Sequence, residues 1–438
     1  MTKMTLAGIA DRVRFIINRL KERLWVLPLT IAFLSIAAAL IARAADGTRL
    51  DQIVPEIAGN SVDSLLSVMA SGMLVIATFA MGAMVSAYAF ASSNTSPRSL
   101  PLVISDDSSQ RALSVFIGAF IFSIVGLIAL DNGYFGVSGR FVLFVFSITV
   151  FGTVIFTFVG WIDSIARLGR VSDTLKKVET STARALKRRR EAIAMHAVPE
   201  SAASSPITGE PVFPETVGYV QRIDVASLQS CAEGMDGRIR VAVLPGIFVT
   251  PEQPMAYLEN RSRADDDRGQ DEIIAAFSIG NERKFDEDPR FGLTVLSQIA
   301  DRALSPGIND PGTAIDVIGI VVRLLVIWAS ADQRKDATEV KYDRVVVPEL
   351  STRDMFDDAF TPISRDGCEF IEVVMCLQRA MSSLAAIGDS SMQEAAIYHA
   401  RQSLAYAEKG LALPQHIDTV REMGDFARNP DDTDPGGS

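Results

Sequence analysis

The side chains best suited to chemistry lie in two short stretches of the C-terminal half. One reads Asp286-Glu287-Asp288-Pro289-Arg290-Phe291-Gly292-Leu293. The other runs Asp301-Arg302-Ala303-Leu304-Ser305-Pro306-Gly307-Ile308-Asn309-Asp310-Pro311. Oxygen-rich side chains gathered at a loop suit a hard cation or a polar ligand, because they replace its water shell. Asp288, Asp301, Asn309 and Asp310 are the candidate donors, and Arg302 is the group for an anion. Ser305 or Asp310 is the candidate for catalysis, but no G-x-S-x-G elbow, phosphate-binding glycine loop or histidine beside a nucleophile accompanies them. The same letters also have a structural reading. Asp310 fits a helix N-cap and Pro311 the first helical position. Ser305-Pro306-Gly307 fits a turn that ends the preceding helix, with Arg302 in a salt bridge.

Other reactive residues are sparse. His196, His399 and His416 are scattered, and Cys231, Cys368 and Cys376 form no CxxC pair. Three isolated thiols suit a reducing compartment. No metal spacing or cofactor motif stands out, so no cofactor is expected.

A second chemical pattern lies inside an apolar run. Ser71, Thr78, Gly82 and Ser86 belong to a stretch rich in small residues, Leu65 to Phe90, that carries no Asp, Glu, Lys, Arg or His. Small residues let helices approach closely in lipid. Small and hydroxyl side chains also leave room for ions or water in an oligomeric pore, which makes these four the pore-lining candidates. A charge-free span speaks against a proton-coupled transporter.

These residues need elements to hold them. Apolar residues make up 48% of the 438 and concentrate before Trp161. About 20 apolar residues cross a bilayer as a helix. Four runs within 24–163 qualify: about 24–42, 65–90, 112–130 and 141–162, the last rich in phenylalanine. The first follows a basic stretch, but it is long for a cleaved leader and reads as a retained span. Lys3, Arg12, Arg14, Arg19, Lys21 and Arg23 precede the first run, and a longer basic series from Arg167 follows the fourth. The loops after the first and third runs carry only Arg43, Arg49 and Arg140. The positive-inside rule then puts both termini in the cytoplasm.

Net charge is -11, with a pI near 5.0, which excludes a typical nucleic-acid binder. The spacing predicts a basic amphipathic helix over 1–23, a basic juxtamembrane helix over 164–198 and a Pro-rich linker over 199–215. Lys187, Arg188, Arg189 and Arg190 in the juxtamembrane helix are placed to meet anionic lipid, or simply to fix topology. Alternating residues predict a small β-barrel or sandwich over 216–281. Helical periodicity covers 282–428, and 429–438 reads as a disordered tail. The expected fold class is thus a four-helix transmembrane bundle followed by a cytoplasmic α+β region.

Four segments carry a resemblance. They are the small-rich second span running into Ala91-Ser92-Ser93-Asn94-Thr95-Ser96-Pro97-Arg98, the Gly218–Asp224 strand, Asp288-Pro289-Arg290-Phe291-Gly292-Leu293, and Arg302 to Pro311. Together they resemble a bacterial family of predicted membrane proteins, the domain of unknown function 2254 family. The resemblance implies an integral, multi-pass protein of a bacterial cytoplasmic (inner) membrane and brings no activity or catalytic residue. Function is therefore read from the residues: a homo-oligomeric channel or transport-like protein with a cytoplasmic gating or sensing domain. The alternative is a membrane-anchored sensor or scaffold, with a membrane-bound enzyme the least supported.

Overall fold

The computed structural model describes residues 26–44, 46, 55, 57–104, 107–167, 170–202, 209–260, 268–330 and 340–427. The expected helix over 1–23 and tail over 429–438 lie outside them. The chain divides into two compact units, Met1–Thr174 and Leu175–Ser438.

The first unit holds α1 (Val26–Ala44), α2 (Gly59–Asn94), the short α3 (Leu100–Ile104), α4 (Asp107–Asp131) and α5 (Val137–Arg167). α1 is a 19-residue apolar helix. Gly59–Phe90, Ser109–Asp131 and Val137–Ile165 are long and apolar enough to cross a membrane. The centre of the bundle is α4, which packs on α1, α2 and α5. Its Phe116 and Phe122 are buried among Leu66, Met69 and Met73 of α2 and Leu143, Val154 and Trp161 of α5. Trp161 stacks on Phe158 and meets Phe116 edge-on.

The outer faces are apolar too. Leu34, Val68, Val75, Phe79, Phe156 and Val159 are all exposed, Phe156 to 84%. So much exposed apolar surface suits a lipid environment rather than water. The hydroxyls of Ser114, Ser123, Ser147, Thr149 and Thr153 each donate to the carbonyl four residues earlier, which satisfies them within their own helices. Asp46 caps α5: its carboxylate accepts from the amides of Gly136 (2.8 Å) and Gly139 (2.7 Å). A Cβ at Gly139 would lie 2.6 Å from an Asp46 oxygen, so the clasp requires glycine there. The first and third interhelical connections therefore meet at one end of the bundle.

The second unit includes most of α6 (Val171–Glu191), then β1 (Ala197–Pro199), β2 (Glu210–Val212), β3 (Gly218–Ile223), α7 (Val225–Gly234), β4 (Arg238–Val241), β5 (Phe248–Val249), β6 (Ala256–Glu259), α8 (Arg268–Ala275) and β7 (Phe277–Gly280). Helices α9 (Pro289–Leu304) and α10 (Pro311–Ala329), strand β8 (Tyr342–Val347), and helices α11 (Thr352–Asp366), α12 (Ile371–Ile387), α13 (Ser390–Gly410) and α14 (Pro414–Met423) complete it.

The expected barrel is not closed. The strands form two open sheets, ordered β1-β8-β4-β6-β2 and β5-β3-β7. The stretch 216–281 supplies β3 to β7 and splits them between both sheets, so it cannot close on itself. The larger sheet is completed by β1, β2 and β8, with β8 parallel to both β1 and β4. A parallel pairing needs a long crossover, and here the first two long helices of the helical module lie in it.

Pro311–Ala329 also has the length and composition of a membrane span. Its surroundings differ from those of the bundle helices. None of its large apolar side chains is exposed; Val317, Ile318, Val321, Leu324 and Leu325 are buried against neighbours that include α9 and α12. A helix apolar on most sides is what the core of a helical module requires.

Candidate functional site

The two chemical stretches lie at opposite ends of α9. At its N-terminus Asp288, 2% exposed, accepts from the Phe291 amide at 3.1 Å and so caps the helix. Both its oxygens also receive Arg283, at 2.7 and 3.1 Å, while the guanidinium lies over the Phe291 ring. Gly246, at φ +96°, backs the carboxylate; a Cβ there would fall 2.0 Å from Asp288 Oδ2. Arg290, in the first turn, reaches Asp358 and Asp354 of α11, each at 2.6 Å.

The basic run of α6 enters this network. Arg188 donates to the Asp286 carbonyl and to Glu287. Arg189 is 5% exposed, donates to the Glu287 carbonyl, and has one buried guanidinium nitrogen, Nη1, without a hydrogen-bond partner. Burial lowers its pKa, against the attraction of Glu287 and Asp288. Arg190, also buried, donates to the carbonyls of Ile327 and Ser330 at the C-terminus of α10, where a cation also suits the helix dipole. Of the four basic residues read above as meeting lipid, only Lys187 and Arg188 are exposed.

At the other end of α9, Asp301 and Arg302 occupy the last turn. Ser305 closes back on the Arg302 carbonyl through its hydroxyl (2.6 Å) and its amide. The Ile308 and Asn309 amides donate to the Ser305 carbonyl, and the Asp310 amide to the Ala303 carbonyl. Asn309 adopts the left-handed φ of +53° that this turn needs. Asp310 caps α10 by accepting from the Thr313 amide (3.1 Å) and hydroxyl (2.7 Å). Those Thr313 bonds hold its carboxyl below its usual range. Asp301 behaves in the opposite way. Burial, and then the nearby Asp366 carboxylate, push it up to about 7, while Arg365 pulls it down. Its Oδ1 and the Nε of Arg302 are buried without hydrogen-bond partners.

The five ligand candidates thus fall into two places. Asp301 lies thirteen positions after Asp288 along the helix, about 20 Å at helical rise. Arg302, Asn309 and Asp310 stay with Asp301 at the loop. Among the described residues, no group of three or more His, Cys, Asp or Glu side chains is placed to hold a metal. The sequence reading missed Arg283 and Gly246, and quoted Arg290 within the motif without giving it a role. For Gly246, the available signal is the Pro245-Gly246 pair, a dipeptide that marks turns. It also missed His399, fully buried on α13, 3.0 Å from Asp357 and near the rings of Phe356 and Phe360.

The pore-lining candidates share another surface. Ser71, Thr78, Gly82 and Ser86 are exposed on the outer face of α2. The Ser71 hydroxyl donates to the Ser67 carbonyl (2.9 Å) and that of Thr78 to the Leu74 carbonyl (2.8 Å). No atom lies within 4 Å of a Cβ built on Gly82.

Comparison with known proteins agrees with this architecture. The chain is 25% identical over 328 residues to an uncharacterised protein of Mycobacterium bovis and, at the same level, to one of Mycobacterium tuberculosis. Each match takes in 72% of this chain and 62% of the relative, so the chain spans less than two thirds of those proteins. No solved structure matches the chain significantly. A family model described as a predicted membrane protein matches residues 21–383, and the chain belongs to that family, domain of unknown function 2254.

Proposed function

We propose that this protein is a homo-oligomeric membrane channel or transport-like protein whose α/β unit, on the cytoplasmic side, gates it or senses for it. The outward stripe on α2 carries this reading. Ser71, Thr78, Gly82 and Ser86 face away from the bundle core, and the interior is filled by α4. A polar path along that stripe therefore requires several copies around an axis, with small residues allowing close approach. The placement of Lys and Arg around the spans supports cytoplasmic termini. A link to the α/β unit is also available. Only residues 168–170 separate α5 from α6, and α6 is tied into its own unit through Arg188–Glu287 and Glu179–Arg323.

The test is reconstitution into liposomes with an ion-flux assay under voltage, tension and osmotic downshift, alongside a mass measurement in detergent. Flux from an oligomer supports the channel. A monomer without flux under all three stimuli removes it. A second reading, a membrane-anchored sensor or scaffold, draws support from the Ser71 and Thr78 hydroxyls. Both are already satisfied by their own helix and need no water or ion. It predicts an intact protein with no flux.

A further inference from the structure

The geometry points to Asp301 as a proton-operated latch for the Ser305–Asp310 loop: with its carboxyl neutral the end of α9 stays closed, and with it ionised the loop loosens. Four observations meet here. Asp301 lies in the last turn of α9, where the helix dipole is negative and disfavours a carboxylate. Its Oδ1 is buried with no partner, so the ionised form lacks a donor at that oxygen. The cation whose charge acts on it, Arg365 of α11, is held by Asp366 through two bonds of 2.5 and 2.9 Å, which leaves Asp366 as a like charge beside Asp301. Finally, the loop hangs on this turn. The Ser305 and Asp310 amides close on the carbonyls of Arg302 and Ala303, the two residues after Asp301.

The surrounding charges are few. On its own helix Arg302 follows, with Nε unpartnered. α11 presents Arg365 and Asp366, and Tyr406 of α13 acts on Arg365. α10, the other helix packed on α9, carries Asp310, engaged with Thr313. It also carries Asp316 and Arg323, whose charges act on each other. The carboxyl is pushed up to about 7, so it changes charge near neutral pH. The sign follows from linkage. A raised acid binds more protons folded than unfolded, so stability falls as pH rises from about 4 to 7 and levels off above.

The experiment is hydrogen–deuterium exchange on the full-length protein in detergent micelles, pH 5.5 to 8, comparing wild type, Asp301→Asn and Asp366→Asn. Asparagine mimics the neutral acid. The wild-type loop amides of Ile308, Asn309 and Asp310 should exchange at the Asp301→Asn rate at pH 5.5 and severalfold faster than it at pH 8. Asp366→Asn frees Arg365 for Asp301 and should move the midpoint of that change to lower pH. A wild-type to Asp301→Asn ratio that stays constant with pH overturns the latch. If Asp301→Asn does not fold, the comparison of wild type with Asp366→Asn decides alone, and an unmoved midpoint overturns it.

Discussion

At the scale of residues, Asp288 shows why an acidic motif is easily mistaken for a ligand site. One carboxylate caps α9, receives both arms of Arg283 and rests against Gly246. Its lone pairs are committed to the protein. Asp288→Ala removes the cap and leaves Arg283 facing an emptied, mostly buried place, which costs about 3 kcal/mol or more. Gly246→Ala should be comparably severe, because the new Cβ meets the carboxylate at 2.0 Å in a left-handed backbone. Urea unfolding of purified protein in detergent reads both, and an unchanged midpoint in either would refute the role given to this carboxylate. His399 gives a pH prediction of opposite sign to that of Asp301. Burial pushes its pKa down to about 4, with Asp357 pulling upward. A base with a depressed pKa binds fewer protons folded than unfolded, so its stabilising effect is present above about 6.5 and lost as pH falls toward 4. His399→Phe keeps an aromatic ring beside Phe356 and Phe360 but cannot titrate. The stability difference between wild type and variant should therefore shrink or reverse between pH 6.5 and 4; a difference constant over that interval would show that His399 does not titrate in the fold.

At the scale of elements, the larger sheet holds a buried ion pair. Arg240 on β4 is 2% exposed and donates to Glu259 on β6 at 2.8 Å, with Glu200 at 3.7 Å. Removing one partner strands a buried charge, so Glu259→Ala should destabilise by about 3–5 kcal/mol. Replacing both by leucine or methionine should restore much of that. A double variant as unstable as the single one would mean that the strands themselves were lost. Neither partner stands out in the sequence, where β4 reads only as an alternating Arg-Ile-Arg-Val. The reason applies to much of the chain. Spans, caps and turns are local, and they were legible: Asp310 and Pro311 begin α10 as their types require, and four apolar runs became four helices. Pairings across long separations leave no local mark. β8 joining β4, Asp46 capping α5 from the loop after α1 and Arg189 burying itself at Glu287 each depend on residues about 90 or more positions away. The barrel expectation failed for the same reason, since it used only the strands contained in 216–281. Small residues in the second span suggest close helix packing or a pore lining, and the structure puts α4 at the bundle centre and turns Ser71, Thr78, Gly82 and Ser86 outward.

At the scale of the whole molecule, that outward face is where the functional reading stands or falls. The exposed surface of α2 carries Val68, Leu74, Val75, Phe79 and Val85 around the smaller Ser71, Thr78, Gly82 and Ser86. If the face meets only lipid, side-chain size there is nearly free to vary. If it meets a second copy, size is constrained, because close helix approach in lipid depends on small residues. Gly82→Leu separates the cases without disturbing the fold of one chain. No atom lies within 4 Å of the new Cβ, and leucine favours a helix over glycine by about 0.5–1 kcal/mol. Phe156→Leu on α5, a position 84% exposed, serves as the control for a lipid-facing change. An oligomer packed along α2 predicts a lower detergent mass and lost flux for Gly82→Leu, with Phe156→Leu like wild type. Ser86→Leu should block flux while leaving mass intact if that hydroxyl lines the path and lies off the closest contact. Equal mass and equal flux for wild type and Gly82→Leu would assign the stripe to lipid and leave the four helices as an anchor for the α/β unit.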